Sequence, residues 1–120
     1  MNTIMLIDDD PTMLKLLETL LRIEGFNPIP WSGEPDVIDE AILLEPEIVL
    51  LDVNLRNANG IDLLKRMRAN SDLAFLPVIM TSGIDYRVEC LEAGANEFLT
   101  KPYMPDVLIR SIRSHLAEEV

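Results

Sequence analysis

Short, continuous apolar segments recur along the chain, and they constrain its fold more than any other feature. Three of them, Thr3–Ile7, Ile48–Leu51 and Pro77–Met80, contain four or five residues that are mostly Ile, Val, Leu and Met. Runs of this length and composition are typical of strands buried on both faces, as in a parallel sheet. Asn27–Trp31 and Glu97–Thr100 are weaker strand candidates. The two prolines of the former predict an edge position, because proline cannot donate a ladder hydrogen bond.

Segments with helical periodicity follow each strand candidate. The first helix should begin after Asp10-Pro11, an N-cap acid followed by proline in the first turn, and should end near Gly25. Four more helices are predicted over Pro35–Leu44, Ile61–Arg68, Tyr86–Glu92 and Pro105–Ala117. Five strand–helix repeats predict an α/β fold, a doubly wound five-stranded parallel sheet with helices on both faces. The length suits one domain, which we expect to span residues 1–120.

The charge and cysteine content exclude several classes of partner and location. Acidic residues outnumber basic ones by 21 to 10, giving a formal net charge of -11, so we do not expect this domain to bind nucleic acid directly. No apolar run approaches the roughly 18 residues that a membrane span requires, and the first residues lack a secretion signal. Cys90 is the only cysteine, which excludes an internal disulfide and favours a cytoplasmic location.

Polar residues stand where four of the predicted strands end. They are Asp8-Asp9-Asp10, Asp52, Thr81-Ser82-Gly83 and Thr100-Lys101-Pro102. In a parallel sheet these ends meet at one edge, where such folds bind ligands. Clustered carboxylates repel one another unless a cation joins them, and their oxygens favour Mg²⁺. Because Mg²⁺ and lysine attract phosphoryl oxygens and a carboxylate can attack phosphorus, these residue types indicate Mg²⁺-dependent phosphoryl transfer to an aspartate.

In its motifs and their order the chain resembles a response-regulator receiver domain of two-component signalling, over essentially its whole length. Four segments carry the resemblance: Leu6-Ile7-Asp8-Asp9-Asp10-Pro11, Val49-Leu50-Leu51-Asp52 with Gly60 eight residues on, Pro77-Val78-Ile79-Met80-Thr81-Ser82-Gly83, and Leu99-Thr100-Lys101-Pro102. The resemblance implies the flavodoxin-like strand order 2-1-3-4-5. It also implies a signalling phosphoacceptor that phosphorylates and dephosphorylates only itself, rather than an enzyme with other substrates.

The resemblance implies a role for each residue around the predicted metal. Asp52 matches the phosphoacceptor, while Asp8 and Asp9 match the acidic pair, with Asp9 the more direct Mg²⁺ ligand. Asn54 would give its backbone carbonyl to the metal, and its side chain would face the phosphoryl group and the attacking water. Lys101 matches the lysine that pairs with a phosphoryl oxygen, and its peptide bond to the following proline would be cis.

A hydroxyl and an aromatic side chain would report phosphorylation in such a domain. Counting from Pro77 places the hydroxyl on Ser82 rather than on Thr81, which would point to the opposite face. Phe98 matches the aromatic switch position, with plain core packing as the alternative. The switched surface would comprise the fourth helix, fifth strand and fifth helix. Implied partners are a histidine kinase or phosphotransfer protein, an effector domain or downstream protein, and a second copy in a phosphorylation-dependent homodimer.

The sequence departs from the family pattern in two segments. Arg56 stands where a proline usually follows four residues after the acceptor, and Ala58 replaces a neighbouring methionine. The segment from Ser82 to Lys101 is about three residues shorter than usual, so the fourth helix should lose close to one turn. These changes concern the loop after the third strand and the output surface rather than the predicted chemistry.

A phosphatase resembling the haloacid dehalogenase class is the main alternative. Asp8 and Asp10 would be its nucleophile and acid–base in the pattern Asp8-x-Asp10-x-Thr12. That class requires a further acidic pair after the lysine to hold Mg²⁺, where this sequence offers only Asp106, Glu118 and Glu119, two of them at the terminus. It also leaves Asp52 without a role. A flavin-binding module would need a Ser/Thr/Gly-rich phosphate cradle after the first strand, where three aspartates stand instead. A degenerate receiver that acts only as a scaffold is a third alternative.

Overall fold

Strands and helices alternate along the residues that the structure describes, 2–31 and 36–116. In this computed structural model the strands are β1 (Thr3–Ile7), β2 (Asn27–Pro30), β3 (Ile48–Asp52), β4 (Val78–Ser82) and β5 (Glu97–Thr100). The helices are α1 (Pro11–Ile23), α2 (Val37–Leu44), α3 (Gly60–Ala69), α4 (Arg87–Glu92) and α5 (Pro105–His115). Within these ranges no helix has both the length and the apolar character needed to cross a membrane.

The five strands form one parallel sheet in the order β2-β1-β3-β4-β5. The doubly wound, flavodoxin-like fold predicted from the sequence is therefore confirmed. β2 lies at an edge, where Pro28 and Pro30 need no second ladder partner. Because all strands run in the same direction, their carboxyl ends share one edge. We call the segments 8–10, 52–56, 81–83 and 100–102 at this edge the rim.

Side chains of the central strands alternate between two apolar layers. One layer combines Met5, Val49 and Met80 with residues of α2, α3 and α4. The other combines Leu6 and Ile79 with residues of α1 and α5. Since both faces of the sheet are covered, these strands read as continuous apolar runs in the sequence. Polar groups are accommodated where the strands end, which is where the candidate site lies.

Local sequence signals determine where the helices begin and end. The Asp10 carboxylate accepts hydrogen bonds from the backbone N–H groups of Thr12 and Met13, so the predicted N-cap of α1 is confirmed. Gly25 follows α1 with a φ of 88°, a left-handed conformation that glycine adopts without steric penalty. Asn59 caps α3 in the same way as Asp10 caps α1.

Predicted and observed bounds differ by one or two residues at several element ends. β4 extends to Ser82 rather than ending at Met80, so the candidate hydroxyl belongs to the strand itself. α4 begins at Arg87, one residue later than predicted, and its six residues confirm a shortened fourth helix. The predicted start of α2 at Pro35 and end of α5 at Ala117 lie outside the described residues.

Arg68, near the end of α3, forms hydrogen bonds with the connection that follows α3 and with the connection between α4 and β5. Its Nε donates to the carbonyl of Gly94 at 2.9 Å, and its two terminal nitrogens donate to Leu73 O at 3.0 Å and Asn96 Oδ1 at 3.1 Å. Asn96 Oδ1 also accepts the backbone N–H of Val78 at 2.9 Å. Burial lowers the pKa of the Arg68 guanidinium. The connection between α4 and β5 is thereby attached to both α3 and β4.

We predict that Arg68→Ala lowers the free energy of unfolding by about 2–3 kcal/mol, because it leaves partly buried acceptors without their charged donor. Arg66→Ala is the matched control two residues away. Its guanidinium forms an exposed ion pair with Asp36 at 3.1 Å, and such a pair contributes at most about 1 kcal/mol. Urea denaturation of both variants measures the difference, and equal losses would contradict the structural role assigned to Arg68.

Candidate functional site

A cavity of about 330 Å³ opens at the rim. Its lining includes five of the predicted site residues, Asp8, Asp9, Asp52, Asn54 and Lys101, but not Ser82. β1 and β3 are neighbours in the sheet, so the acidic pair after β1 lies beside Asp52 at the end of β3. Lys101 follows β5, two strands away from β3, and its long side chain spans that distance.

The ammonium group of Lys101 lies between two carboxylates. Its Nζ is 3.1 Å from Asp8 Oδ2 and 3.3 Å from Asp52 Oδ2. These aspartate side chains are only 7% and 11% exposed, and the lysine side chain is 21% exposed. Charge-assisted bonds at this depth are poorly screened by solvent. The three residues therefore form one electrostatic unit rather than a surface salt bridge.

Burial and neighbouring charges shift the pKa values of this unit. Burial raises the pKa of Asp52 above its ordinary 3.8, with Asp8 adding to the rise, while Lys101 and the Asn54 amide oppose it. Burial alone would lower the pKa of Lys101, but the charges of Asp52 and Asp8 outweigh it and leave the pKa raised. The lysine is thus held in its charged form, and ionisation of Asp52 costs more free energy in the folded domain than in the unfolded chain.

The three consecutive aspartates differ in what their oxygens contact. Asp8 Oδ1 accepts the backbone N–H of Asp10 at 2.9 Å, and its other oxygen binds Lys101. Asp9 Oδ2 accepts the backbone N–H of Arg56, so the loop after β3 is attached to the acidic pair. The Asp10 carboxylate accepts the backbone N–H groups that it caps at the start of α1. Asp9 Oδ1 has no protein partner among the described residues, which leaves it available to an additional ligand.

The donors at this site fit a hard cation that retains water. In the described part of the chain, no three His, Cys, Asp or Glu side chains converge closely enough to hold a metal by themselves. Mg²⁺ does not require such a set, because it usually binds one or two carboxylates and keeps several water molecules. Asp9, Asp52 and Asn54 line the same cavity, so oxygen-bearing residues of the kind that Mg²⁺ binds are grouped there.

The side chain of Ser82 contacts Asn54 within the rim, whereas the side chain of Thr81 lies on the other face of the sheet. Ser82 Oγ donates to Asn54 Oδ1 at 2.9 Å and accepts the backbone N–H of Ile84 at 3.1 Å. Alternation along β4 places Thr81 on the side of Ile79, which packs with α1 and α5. The Asn54 side chain therefore contacts Ser82 in addition to lining the cavity, a contact that the sequence pattern does not predict.

Phe98 is buried in this structure, with 1% of its surface exposed. It packs in the same apolar layer as Met80 and Cys90, and the guanidinium carbon of Arg87 lies 5.5 Å from the centre of its ring. β5 is paired with β4, so Phe98 lies on the strand next to Ser82. The aromatic ring is therefore packed inward beneath α4 while the Ser82 hydroxyl contacts the rim.

Comparison with known proteins assigns the chain to a family. The family described as the response regulator receiver domain matches residues 4–113. The chain is a response regulator receiver domain. It is 42% identical to the transcriptional regulatory protein CpxR of Escherichia coli K12 over 123 residues, which cover 97% of this chain. It is 33% identical to the DNA-binding response regulator MtrA of Mycolicibacterium smegmatis over 94% of this chain. The chain spans about half the length of these relatives.

Solved structures of receiver domains share its fold. A putative response regulator from Chloroflexus aurantiacus J-10-fl superposes with a TM-score of 0.89 at 30% identity, covering 98% of both chains. The receiver domain of the sensor histidine kinase PA1611 from Pseudomonas aeruginosa PAO1 has a TM-score of 0.83 at 24% identity, covering 94% of this chain and 95% of the other. In that protein a magnesium ion is coordinated in the active site cleft.

Gly60 allows the carboxyl end of β3 and the start of α3 to approach each other. A Cβ atom at this position would lie 2.2 Å from the carbonyl oxygen of Asp52 and 2.8 Å from the Cα of Val53. Both neighbours are main-chain atoms, which cannot rotate away. The Gly60 N–H also donates to Val53 O at 2.8 Å. The motif spacing identifies this glycine, but its close approach to Asp52 is evident only from the structure.

Two further residues near the site have no functional role in the sequence interpretation. Arg56, treated there only as a departure from the family pattern, lines the rim cavity. The Tyr103 hydroxyl is buried without a hydrogen-bond partner among the described residues. Burial raises the pKa of Tyr103 to about 12, and the charges of Asp8 and Asp52 add to this rise. A position directly after Lys101-Pro102 is the only sequence signal that points to this tyrosine.

We predict that Asp52→Asn increases the free energy of unfolding at pH 7 in the absence of divalent metal. The raised pKa means that ionised Asp52 destabilises the folded state relative to the unfolded state, and asparagine removes that ionisation. As the pH falls through the raised pKa toward 3.8, wild-type Asp52 becomes protonated and the advantage of the variant should shrink.

Urea denaturation in EDTA at several pH values measures this difference, and Asp72→Asn, at an exposed position, is the control for net charge. A variant that is less stable than wild type at pH 7 would contradict the prediction.

We predict that Gly60→Ala destabilises the domain by about 1–3 kcal/mol, the usual effect of forcing a methyl group against a packed backbone. It should also slow phosphorylation, because the added atom displaces the main chain of Asp52. Gly83→Ala is the control, since a Cβ there meets no atom within 4 Å, and its stability should change by at most about 0.5 kcal/mol. Equal stability changes in the two variants would show that the close approach at Gly60 is unimportant.

Proposed function

We propose that this receiver domain accepts a phosphoryl group on Asp52 in the presence of Mg²⁺, from a histidine kinase or a phosphotransfer protein. One observation carries the proposal: a largely buried carboxylate ends the central strand β3, contacts Lys101 at 3.3 Å and faces a cavity that it shares with Asp8 and Asp9. Attack on phosphorus requires a carboxylate that is confined, oriented and close to a compensating cation, and Asp52 meets these conditions.

Asp9 and Asp52 are the proposed carboxylate ligands of Mg²⁺, together with the backbone carbonyl of Asn54. Both oxygens of Asp8 already have protein partners, which supports an indirect role for it. Asp9 keeps one oxygen without a protein partner, which supports direct ligation. When bound, Mg²⁺ supplies positive charge that offsets the carboxylates and the phosphoryl oxygens.

In the proposed transfer, an oxygen of Asp52 attacks the phosphorus of a phosphohistidine. An oxygen–phosphorus bond forms as the phosphorus–nitrogen bond breaks, and the electron pair of the broken bond stays on the imidazole. Lys101, now shared by Asp8 and Asp52, would pair with an oxygen of the new phosphoryl group. Water attack at phosphorus later breaks the acyl phosphate and restores the carboxylate. The domain therefore modifies only itself.

Ser82 is the proposed link between phosphorylation and the output surface. Its hydroxyl now donates to the neutral amide oxygen of Asn54, and a charged phosphoryl oxygen would be the stronger acceptor. Phe98 is already packed inward beneath α4, so phosphorylation would stabilise this packing relative to one with the ring displaced. The change would be a shift between two populations, with the surface of α4, β5 and α5 as the reporter.

The relatives are about twice as long as this chain, and one is named for binding DNA. We propose that an effector domain or a downstream protein carries the output, since a surface with a net charge of -11 disfavours direct contact with nucleic acid. A histidine kinase partner, a cytoplasmic location and a phosphorylation-dependent homodimer belong to the same proposal.

We predict that wild-type protein incubated with acetyl phosphate and Mg²⁺ gains one phosphoryl group by intact mass spectrometry. Asp52→Asn should gain none, because the variant lacks the attacking oxygen. The modification should be labile to base, as an acyl phosphate is, and EDTA should prevent it. A phosphoryl group that persists in Asp52→Asn would refute Asp52 as the acceptor.

Asp10→Asn separates the receiver from the phosphatase alternative, for which the comparisons offer no support. Asparagine caps a helix about as well as aspartate, so the variant should fold normally and keep its phosphorylation. A phosphatase that used Asp10 as acid–base would instead lose roughly 100-fold or more in turnover. Steady release of phosphate that survives in Asp52→Asn and disappears in Asp10→Asn would favour the phosphatase.

A further inference from the structure

Arg56 is attached to the rim by its main chain. It lies four residues after Asp52 in the connection between β3 and α3, and its backbone N–H donates to Asp9 Oδ2. The proline that is usual at this position could not make this bond, because proline has no N–H group. The replacement thus gives the loop a hydrogen bond to the acidic pair and places an arginine beside it.

Arg56 lines the rim cavity, and its guanidinium has no protein partner among the described residues. Four carboxylates line the same cavity, those of Asp8, Asp9, Asp10 and Asp52, yet within the described residues the Arg56 side chain makes no ion pair or hydrogen bond. Arg56 is exposed, so its side chain is free to reorient. Lys101 differs, because its ammonium is already bound by two carboxylates.

The excess of negative charge around the cavity makes an additional cation useful for binding an anionic donor. Four carboxylates face two cations, so an anionic phosphodonor approaches an excess of negative charge. Arginine offers a planar set of donors that matches phosphate oxygens, and its charge does not titrate near neutral pH. A cation at the entrance of an acidic cavity favours the approach of anions and stabilises charge that develops during transfer.

We propose that Arg56 is a further catalytic residue, whose guanidinium binds the phosphoryl oxygens of the donor at the cavity entrance, on top of the contact expected from Lys101. This inference rests on the proposed phosphoacceptor function of Asp52. Arg56 raises the rate of phosphorylation by small anionic donors and the affinity for phosphoryl analogues. It leaves the binding of Mg²⁺ unchanged, since its link to Asp9 runs through the backbone.

The test compares Arg56→Ala, Arg56→Lys and the control Lys65→Ala, which removes one positive charge from an exposed position on α3. Phosphorylation by acetyl phosphate with Mg²⁺ should be roughly tenfold slower in Arg56→Ala, the loss expected for one charge-assisted contact in the transition state. Arg56→Lys should lie between Arg56→Ala and wild type, and Lys65→Ala should match wild type. The rate should fall less steeply with salt in Arg56→Ala than in wild type.

Equilibrium binding separates this contact from indirect effects. Beryllofluoride, a phosphoryl analogue, should bind Arg56→Ala roughly tenfold more weakly than wild type, as judged by NMR titration at saturating Mg²⁺. Calorimetric titration should give the same Mg²⁺ affinity for both proteins. A parallel loss of Mg²⁺ affinity would overturn the proposal, because the effect would then act through Asp9.

Equal rates and equal beryllofluoride affinities in wild type, Arg56→Ala and Lys65→Ala would also overturn it, while leaving Asp52 as the acceptor. The proposed function itself fails in a different way, namely if wild type and Asp52→Asn are equally inert or equally modified.

Discussion

The charge balance of the rim depends on the ammonium group of Lys101, which lies between the carboxylates of Asp8 and Asp52. Two carboxylates this deeply buried would repel each other strongly, and removing their shared cation would leave both charges uncompensated. Burial raises the pKa values of Asp52 and Tyr103, and the charge of Asp8 adds to both, whereas the raised pKa of Lys101 comes from the charges of Asp52 and Asp8. A phosphoryl group that enters the cavity therefore meets a charge arrangement that already exists and need not be assembled.

The sheet makes this arrangement possible because polar side chains can be placed at its strand ends but not on its two buried faces. Apolar layers cover both of its faces, so functional groups stand at the strand ends, and parallel pairing brings those ends together. Gly60 adds a steric condition, since any larger residue would collide with the main chain of Asp52. The position of the candidate acceptor thus follows from strand direction and from one close backbone contact.

Much of this could be predicted from the sequence, because apolar runs and strand-end acids are local patterns with a known geometric consequence. Alternation of strands and helices predicted the sheet, and motif order predicted which residues share the rim. The contacts of Arg56 and Arg68 could not be predicted in this way. An arginine in a loop or on a helix looks the same in a sequence whether it is solvated or bound to distant carbonyls. The predicted start of α4 was one residue too early, because its N-cap residue is Tyr86, which is not a residue type that marks a helix start in a sequence.

The contacts of Arg68 make the two ends of α4 unequal. The carbonyl of Gly94, directly after this helix, is bound by a partly buried guanidinium that also holds Leu73 and Asn96. The first turn lies three residues beyond Gly83, where the N-cap residue Tyr86 makes no capping bond and Asp85 Oδ1 accepts the backbone N–H of Arg87 at 3.0 Å. A force applied at Ser82 would then act near the start of a short helix whose far end is anchored by Arg68. We expect α4 to pivot about Gly94 rather than to slide, so that displacement is largest beside the rim and fades toward the opposite edge of the sheet.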